Sequence, residues 1–188
     1  MYPYEKNEEY FRETQVDSQT IFEGRVLHVC KDTIRLPNGR TSTREYCKHK
    51  GAVCVVPLTA DGKVICVRQY RYALGQVVLE IPAGKLDSID EPHDEAALRE
   101  LEEETGYRCS RLTPIGELST SPALLTEIIY MYLAEGLTAG ACHPDEDEFL
   151  EMVAIPLDTL VDMILAGEII DSKTQAAVLK VWAMKQKK

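Results

Sequence analysis

Apolar and polar residues alternate along much of the first third of the chain, with the two-residue period of half-buried strands. The alternation runs through TIFEGRVLHVC (20–30), then KDTIRLP, then RTSTREYCKH. Asn38-Gly39 separates the last two segments, and this pair suits a type I′ turn, in which both central residues need positive φ. A hairpin is predicted there. AVCVVPL (52–58) and KVICVRQYRY (63–72) are apolar enough for central strands, and Asp61-Gly62 between them predicts a second hairpin. VVLEIPAG (77–84) reads as a short strand closed by Pro82 and Gly84. The period then becomes helical over PHDEAALRELEEET (92–105), with Pro92 at the first helical position and Gly106 as the stop. GELSTSP (116–122), EIIYMYLAE (127–135) and EFLEMVAIP (148–156) predict three further strands. Two helices close the chain, PLDTLVDMILA before Gly167 and SKTQAAVLKVWAMK (172–185), the second capped by Ser172. A mixed sheet with one central helix and a C-terminal helical cover defines an α+β chain. Residues 1–18 read as a loosely held polar segment, 19–50 as N-terminal strands and a hairpin, and 51–188 as the main domain.

Composition narrows the partners. A 188-residue chain buries roughly 70% of its unfolded surface and needs no disulfide or structural metal. The net charge of −10 makes it a poor match for nucleic-acid backbone or anionic lipid. Phosphates must therefore be met locally, by a few placed cations or bound metal ions. The six cysteines form no CxxC pair, and Cys54 and Cys66 lie inside apolar runs as small buried hydrophobes. MYPYEKNEEYFRETQ has no apolar core of a signal peptide, and no stretch approaches the ~18–20 apolar residues of a membrane span. The expected compartment is the cytoplasm.

The chemistry concentrates in GKLDSIDEPHDEAALRELEEETGY (84–107). On a helix, Glu100, Glu103 and Glu104 fall at i, i+3 and i+4 and crowd one face. They also lie near the negative end of the helix dipole. In a partly buried cleft, two carboxylates ~5–6 Å apart repel by roughly 3 kcal/mol at an effective dielectric near 20. Arg99 reaches Glu103 at i,i+4, but one arginine does not neutralise three acids. Hard divalent cations such as Mg²⁺ or Mn²⁺ suit such a set of carboxylate oxygens.

The run Arg99-Glu100-Leu101-x-Glu103-Glu104-x-Gly106-Tyr107, after a strand and a glycine turn, closely resembles the Nudix box of the Nudix hydrolases. In that pattern a glycine precedes a glutamate by five residues, and the glutamate precedes the arginine by seven. Here Glu91 keeps the spacing to Arg99, whereas five residues after Gly84 lead to Asp90, so the loop is one residue longer and either acid can fill the position. The resemblance implies a Nudix α/β/α sandwich with a mixed central sheet and an N-terminal β-hairpin region. It implies that Glu100, Glu103 and Glu104 hold metal with the Ala83 carbonyl, and that Arg99 orients the glutamates.

Segments outside the box resemble the ADP-ribose pyrophosphatase branch: RLPNGRTSTRE, VRQYRYALGQVVLEIPAGK, TSPALLTEIIYMYLAE with Pro122, and DEDEFLEM (145–152). Ala123 stands where that branch usually has glycine. The branch implies hydrolysis of ADP-ribose to AMP and ribose 5-phosphate, with another nucleoside diphosphate sugar (GDP-mannose, ADP-glucose) as the alternative substrate. A nucleotide sensor without catalysis is the rival class, disfavoured by the intact box. The branch also implies a homodimer and a catalytic base before EFLEM, either Glu148 or Glu146. Arg71, Arg44 and Arg68 are the candidate cations for substrate phosphates, although Arg68 and Arg71 point to opposite faces of a regular strand. Phe22, Tyr46 and Tyr70 are candidates to stack on the base. His28, His49, His93 and His143 read as bystanders, and Trp182 as core.

Overall fold

The computed structural model describes residues 8–140 and 149–187. They form two compact units: the chain up to His49 together with Ser121–Thr126, and Lys50–Thr120 with the chain from Glu127 onward.

The first unit contains a one-turn helix, α1 (Glu8–Phe11), and an antiparallel sheet in the order β1 (Thr14–Glu23), β2 (His28–Arg35), β3 (Thr41–Lys48). β1 begins at Thr14, inside the stretch whose composition reads as loose. The alternating run 20–30 is two strands rather than one, because the chain reverses at Gly24, whose N–H donates to Leu27 O at 2.8 Å. Between β2 and β3 only Gly39 takes positive φ (83°), so the turn is not type I′. Gly39 N–H donates to Leu36 O and Leu36 N–H to Arg40 O, at 2.9 and 2.8 Å. Asn38 keeps negative φ, and its side chain accepts from Arg40 N–H.

The second unit is built on β4 (Ala52–Pro57), whose six residues are all buried. It lies between β7 (Ala83–Lys85) and β9 (Ile128–Ala139) in a four-stranded sheet completed by β8 (Tyr107–Ser119). β4 and β9 run parallel and the other pairs antiparallel, giving a mixed sheet. Val53 and Val55 pack on one face with Ala96, Ala97 and Leu101 of α2 (His93–Thr105). Cys54 and Val56 pack on the other with Leu160 and Val161 of α3 (Leu157–Leu165) and Val178 and Val181 of α4 (Ser172–Gln186). Burial on both faces explains why this strand reads as a continuous apolar run. The layers are helix, sheet, helix.

Asp61-Gly62 does not make a true hairpin. β5 (Lys63–Arg71) shares only the bridge Leu58–Val64 with the strand before it, then joins β10 (Leu150–Pro156) and β6 (Gln76–Glu80) in a separate three-stranded sheet. VVLEIPAG is likewise split, because Ile81-Pro82 carries the chain from β6 in one sheet to β7 in the other. β8 starts directly after Gly106, well before residue 116, and its period is broken by a bulge between Pro114 and Gly116. Two helix starts also differ from expectation. Pro92 caps α2 instead of opening it, and Asp171 rather than Ser172 caps α4, its carboxylate accepting from Thr174 N–H at 2.9 Å. The described cysteines are all free, and burial pushes the thiols of Cys54 and Cys66 up to about 12. Among the described residues, no helix is long and apolar enough to cross a membrane.

Candidate active site

The site lies where α2 crosses the β4–β7 edge. Glu100 and Glu104 occupy the buried stripe of α2 beside Leu101, with 8% and 4% exposure. Glu103 stands one step outward at the cavity wall. Ala83 N–H donates to Glu104 Oε2 at 3.2 Å, which ties the helix to β7. Next to it, the Glu100 carboxylate fills the space of the side chain that Gly84 lacks: a Cβ there would lie 2.0 Å from Glu100 Oε1. The close approach of strand to carboxylate requires glycine.

Arg99 organises the acids. Its guanidinium donates to Glu100 at 2.6 Å, to Glu103 at 3.0 Å and to Glu91 at 3.2 Å, with Asp87 3.9 Å away. Burial works against this charge, but Glu100, Asp87 and Glu103 hold the guanidinium well above its ordinary value. Glu91 is also anchored by Asp87 N–H at 2.6 Å, while Asp90 is exposed. The added loop residue is therefore taken up before Glu91, and the spacing from Glu91 to Arg99 is the one the geometry uses.

A cavity of about 510 Å³ opens beside these groups, lined by Ala83, Gly84, Arg99, Glu100 and Glu103 on one side and by Arg71, Asp171 and Lys173 on the other. Arg71 grips Glu80 with two bonds of 2.6 Å, and Lys173 donates to the same carboxylate and to Asp171. Burial opposes charge on Glu80, but Arg71 and Lys173 hold its carboxyl below the ordinary 4.5. Asp171 and Lys173 at the cavity wall, and Glu80 behind Arg71, are candidate residues that motif spacing missed. The available signals were a lone carboxylate inside VVLEIP and an Asp-x-Lys-Thr run at a helix start.

The other candidates fall elsewhere. Arg68 lies on the opposite face of β5 from Arg71, does not line the cavity and pairs with Glu151 across the strand at 2.5 Å. Arg44 belongs to the N-terminal unit, where it pairs with Glu13. Phe22 and Tyr46 belong to that unit too, and Tyr46 OH donates to Asp32 at 3.2 Å. Tyr70 is exposed on β5. His93 stacks on Tyr130, with ring centroids 3.5 Å apart. Trp182 packs against the core and donates to Asp158. Glu146, Glu148 and His143 lie outside the described residues.

The donor set fits a hard divalent cation. Glu91, Glu100 and Glu103 contact one guanidinium beside a cavity, and Glu104 is held nearby on Ala83 N–H, so the acids outnumber the cation that orders them. Among the described residues no group of three or more His, Cys, Asp or Glu side chains is arranged to hold a metal ion. Arg99 bridges Glu100 and Glu103, and Ala83 N–H holds Glu104. A cation entering the site must compete with Arg99 for Glu100 and Glu103.

Acids on a sandwich helix beside a cavity with cations on its far wall are the features a hydrolase of phosphate anhydrides needs. Comparison with known proteins agrees: the NUDIX domain matches residues 48–176, and the nucleoside diphosphate sugar hydrolase N-terminal domain matches residues 13–46. The chain belongs to the Nudix hydrolase family, whose members use divalent metal ions. It is 44% identical over 170 residues to a methanol dehydrogenase activator of Bacillus methanolicus, covering 89% of this chain and 91% of that one. It is 42% identical over 168 residues to an ADP-ribose pyrophosphatase of Bacillus subtilis, covering 88% and 90%. A crystal structure of an ADP compounds hydrolase superposes with a TM-score of 0.81 at 26% identity, covering 93% of this chain and 96% of that one.

Proposed function

We propose that this protein hydrolyses the pyrophosphate bond of ADP-ribose, giving AMP and ribose 5-phosphate, with Mg²⁺ or Mn²⁺. The observation that carries the reading is the single cavity that joins the Arg99-ordered carboxylates to Arg71 and Lys173. Glu100, Glu103, Glu104 and the Ala83 carbonyl would hold the ions. When bound, such ions polarise phosphate oxygens and acidify water. The protein's own groups do the rest. Arg71, oriented by Glu80, faces the charge of the diphosphate, and Lys173 adds a second cation. Arg99 keeps the acids apart and aimed. Glu148, with Glu146 as the alternative, takes the proton from the attacking water. The same reading makes the protein a cytoplasmic homodimer, which light scattering checks.

The test is AMP release from ADP-ribose with Mg²⁺, Mn²⁺ or EDTA, beside GDP-mannose and ADP-glucose. Activity lost in EDTA and restored by metal is expected. Turnover of only another nucleotide sugar would reassign the substrate, and tight binding with no cleavage of any would make the protein a sensor. The similarity to a methanol dehydrogenase activator favours a second reading, stimulation of a dehydrogenase. Adding the protein to a methanol dehydrogenase assay, with Glu104→Gln as the control, separates the two.

Gly84→Ala tests the close approach. The new Cβ displaces the free end of Glu100, so the fold should survive while the carboxylate moves by about an ångström, and kcat should fall by about 10²-fold. Steady-state kinetics beside a thermal melt measures both. Unchanged turnover would remove Glu100 from the proposed site.

A further inference from the structure

We infer that Thr174 is a positioning residue for the turn carrying Ala83 and Gly84, and that it holds the backbone side of the ion site from the start of the last helix. The inference deepens the hydrolytic reading of the cavity and rests on it. Thr174 is 0% exposed on the first turn of α4. Its hydroxyl donates to Asp171 Oδ2 at 2.6 Å, and the same carboxylate oxygen accepts Thr174 N–H at 2.9 Å. With its proton committed to Asp171, the hydroxyl offers only lone pairs to other groups. Ile81 N–H takes one of them, at 2.9 Å.

Ile81 lies between β6 and β7, outside both strands, where the chain passes from one sheet to the other. The backbone that follows is held by a different element at each step. Pro82 O accepts from Val55 N–H of β4 at 2.9 Å, and Ala83 N–H donates to Glu104 of α2. Pro82 has no N–H, so Ile81 supplies the last donor that can anchor the crossing before Ala83. Lys173 reinforces the same attachment through Glu80, the residue before Ile81. Rotation of the Ile81 peptide would swing Ala83, and with it the Glu104 carboxylate and the clearance at Gly84. A packing role for Thr174 would depend on its methyl group, whereas the positioning role depends on its oxygen.

The test compares Thr174→Ser, Thr174→Ala and Thr174→Val with the parent, reading Mn²⁺ affinity of the substrate-free protein by paramagnetic resonance, then kcat and KM for ADP-ribose, then thermal unfolding. Serine and alanine both lack the methyl and differ only in the oxygen. Alanine and valine are expected to weaken Mn²⁺ binding and lower kcat by about tenfold, with KM moved by less than about threefold, while serine stays near the parent. Mn²⁺ affinity equal in the serine and alanine proteins overturns the proposal. So does failure of both oxygen-free proteins to fold while the serine protein folds, because the role is then stability alone. If the parent binds Mn²⁺ but cleaves neither ADP-ribose nor another nucleotide sugar, the hydrolytic reading fails, and the Mn²⁺ comparison still decides the role of Thr174.

Discussion

Glu104→Gln is expected to lower the turnover of ADP-ribose by about 10³-fold at saturating Mg²⁺, because a neutral amide replaces the buried carboxylate proposed to hold the ion. The fold should persist. Glu104 is 4% exposed and accepts Ala83 N–H, and the glutamine carbonyl can accept the same proton. The substitution thus separates charge from shape. AMP release, calorimetric Mn²⁺ titration and a melting curve measured on one preparation give the three readings needed. Loss of activity and metal affinity with an unchanged melt is the expected pattern. A variant that keeps near-parental turnover would take the central carboxylates out of the chemistry.

Glu80→Gln is expected to act on stability as strongly as Glu104→Gln acts on rate. Glu80 is 2% exposed and receives both Arg71 and Lys173. Removing its charge leaves two cations facing each other around a neutral amide, at a cost of about 3–5 kcal/mol. For a chain of this size the melting temperature should fall on the order of 10 °C. The pH dependence has a defined sign. The folded carboxyl lies below the ordinary 4.5, so its contribution is fully present above that pH and is lost as pH falls through the folded value. The stability gap between parent and Glu80→Gln should therefore be widest near neutrality and close in acid. Denaturant titrations at several pH values would show it, and a gap that widened below pH 4.5 would contradict the ion-pair account.

Legibility in the sequence followed the range of the interactions. The helix over 93–105 and its three acids were readable because spacing along a helix fixes which side chains share a face. β4 and β5 were readable as central strands because burial on both faces leaves continuous apolar runs. Their separation into different sheets was not, since a turn at Asp61-Gly62 looks the same whether the following strands pair or part. Only the second half of β8 was read, as the strand from 116, because a bulge at Ile115 shifts its period midway. Arg71 and Arg68 were separable by strand alternation alone. The second cation on Glu80 was hidden because Lys173 lies 93 positions away in sequence, and no local pattern announces a contact at that distance.

The cavity draws its groups from separate supports: Glu100 and Glu103 from α2 beside the four-stranded sheet, Arg71 from the three-stranded sheet, and Lys173 from α4. The bridge at Leu58–Val64, the peptide run at Ile81-Pro82 and the bonds of Thr174 to Ile81 and of Lys173 to Glu80 tie those supports together. Selection for a new leaving group or sugar can thus remodel the exposed turn at Tyr72–Leu74 while Arg71, Glu80 and the acids keep their anchoring. Such a division lets one reaction be retained while its clientele changes.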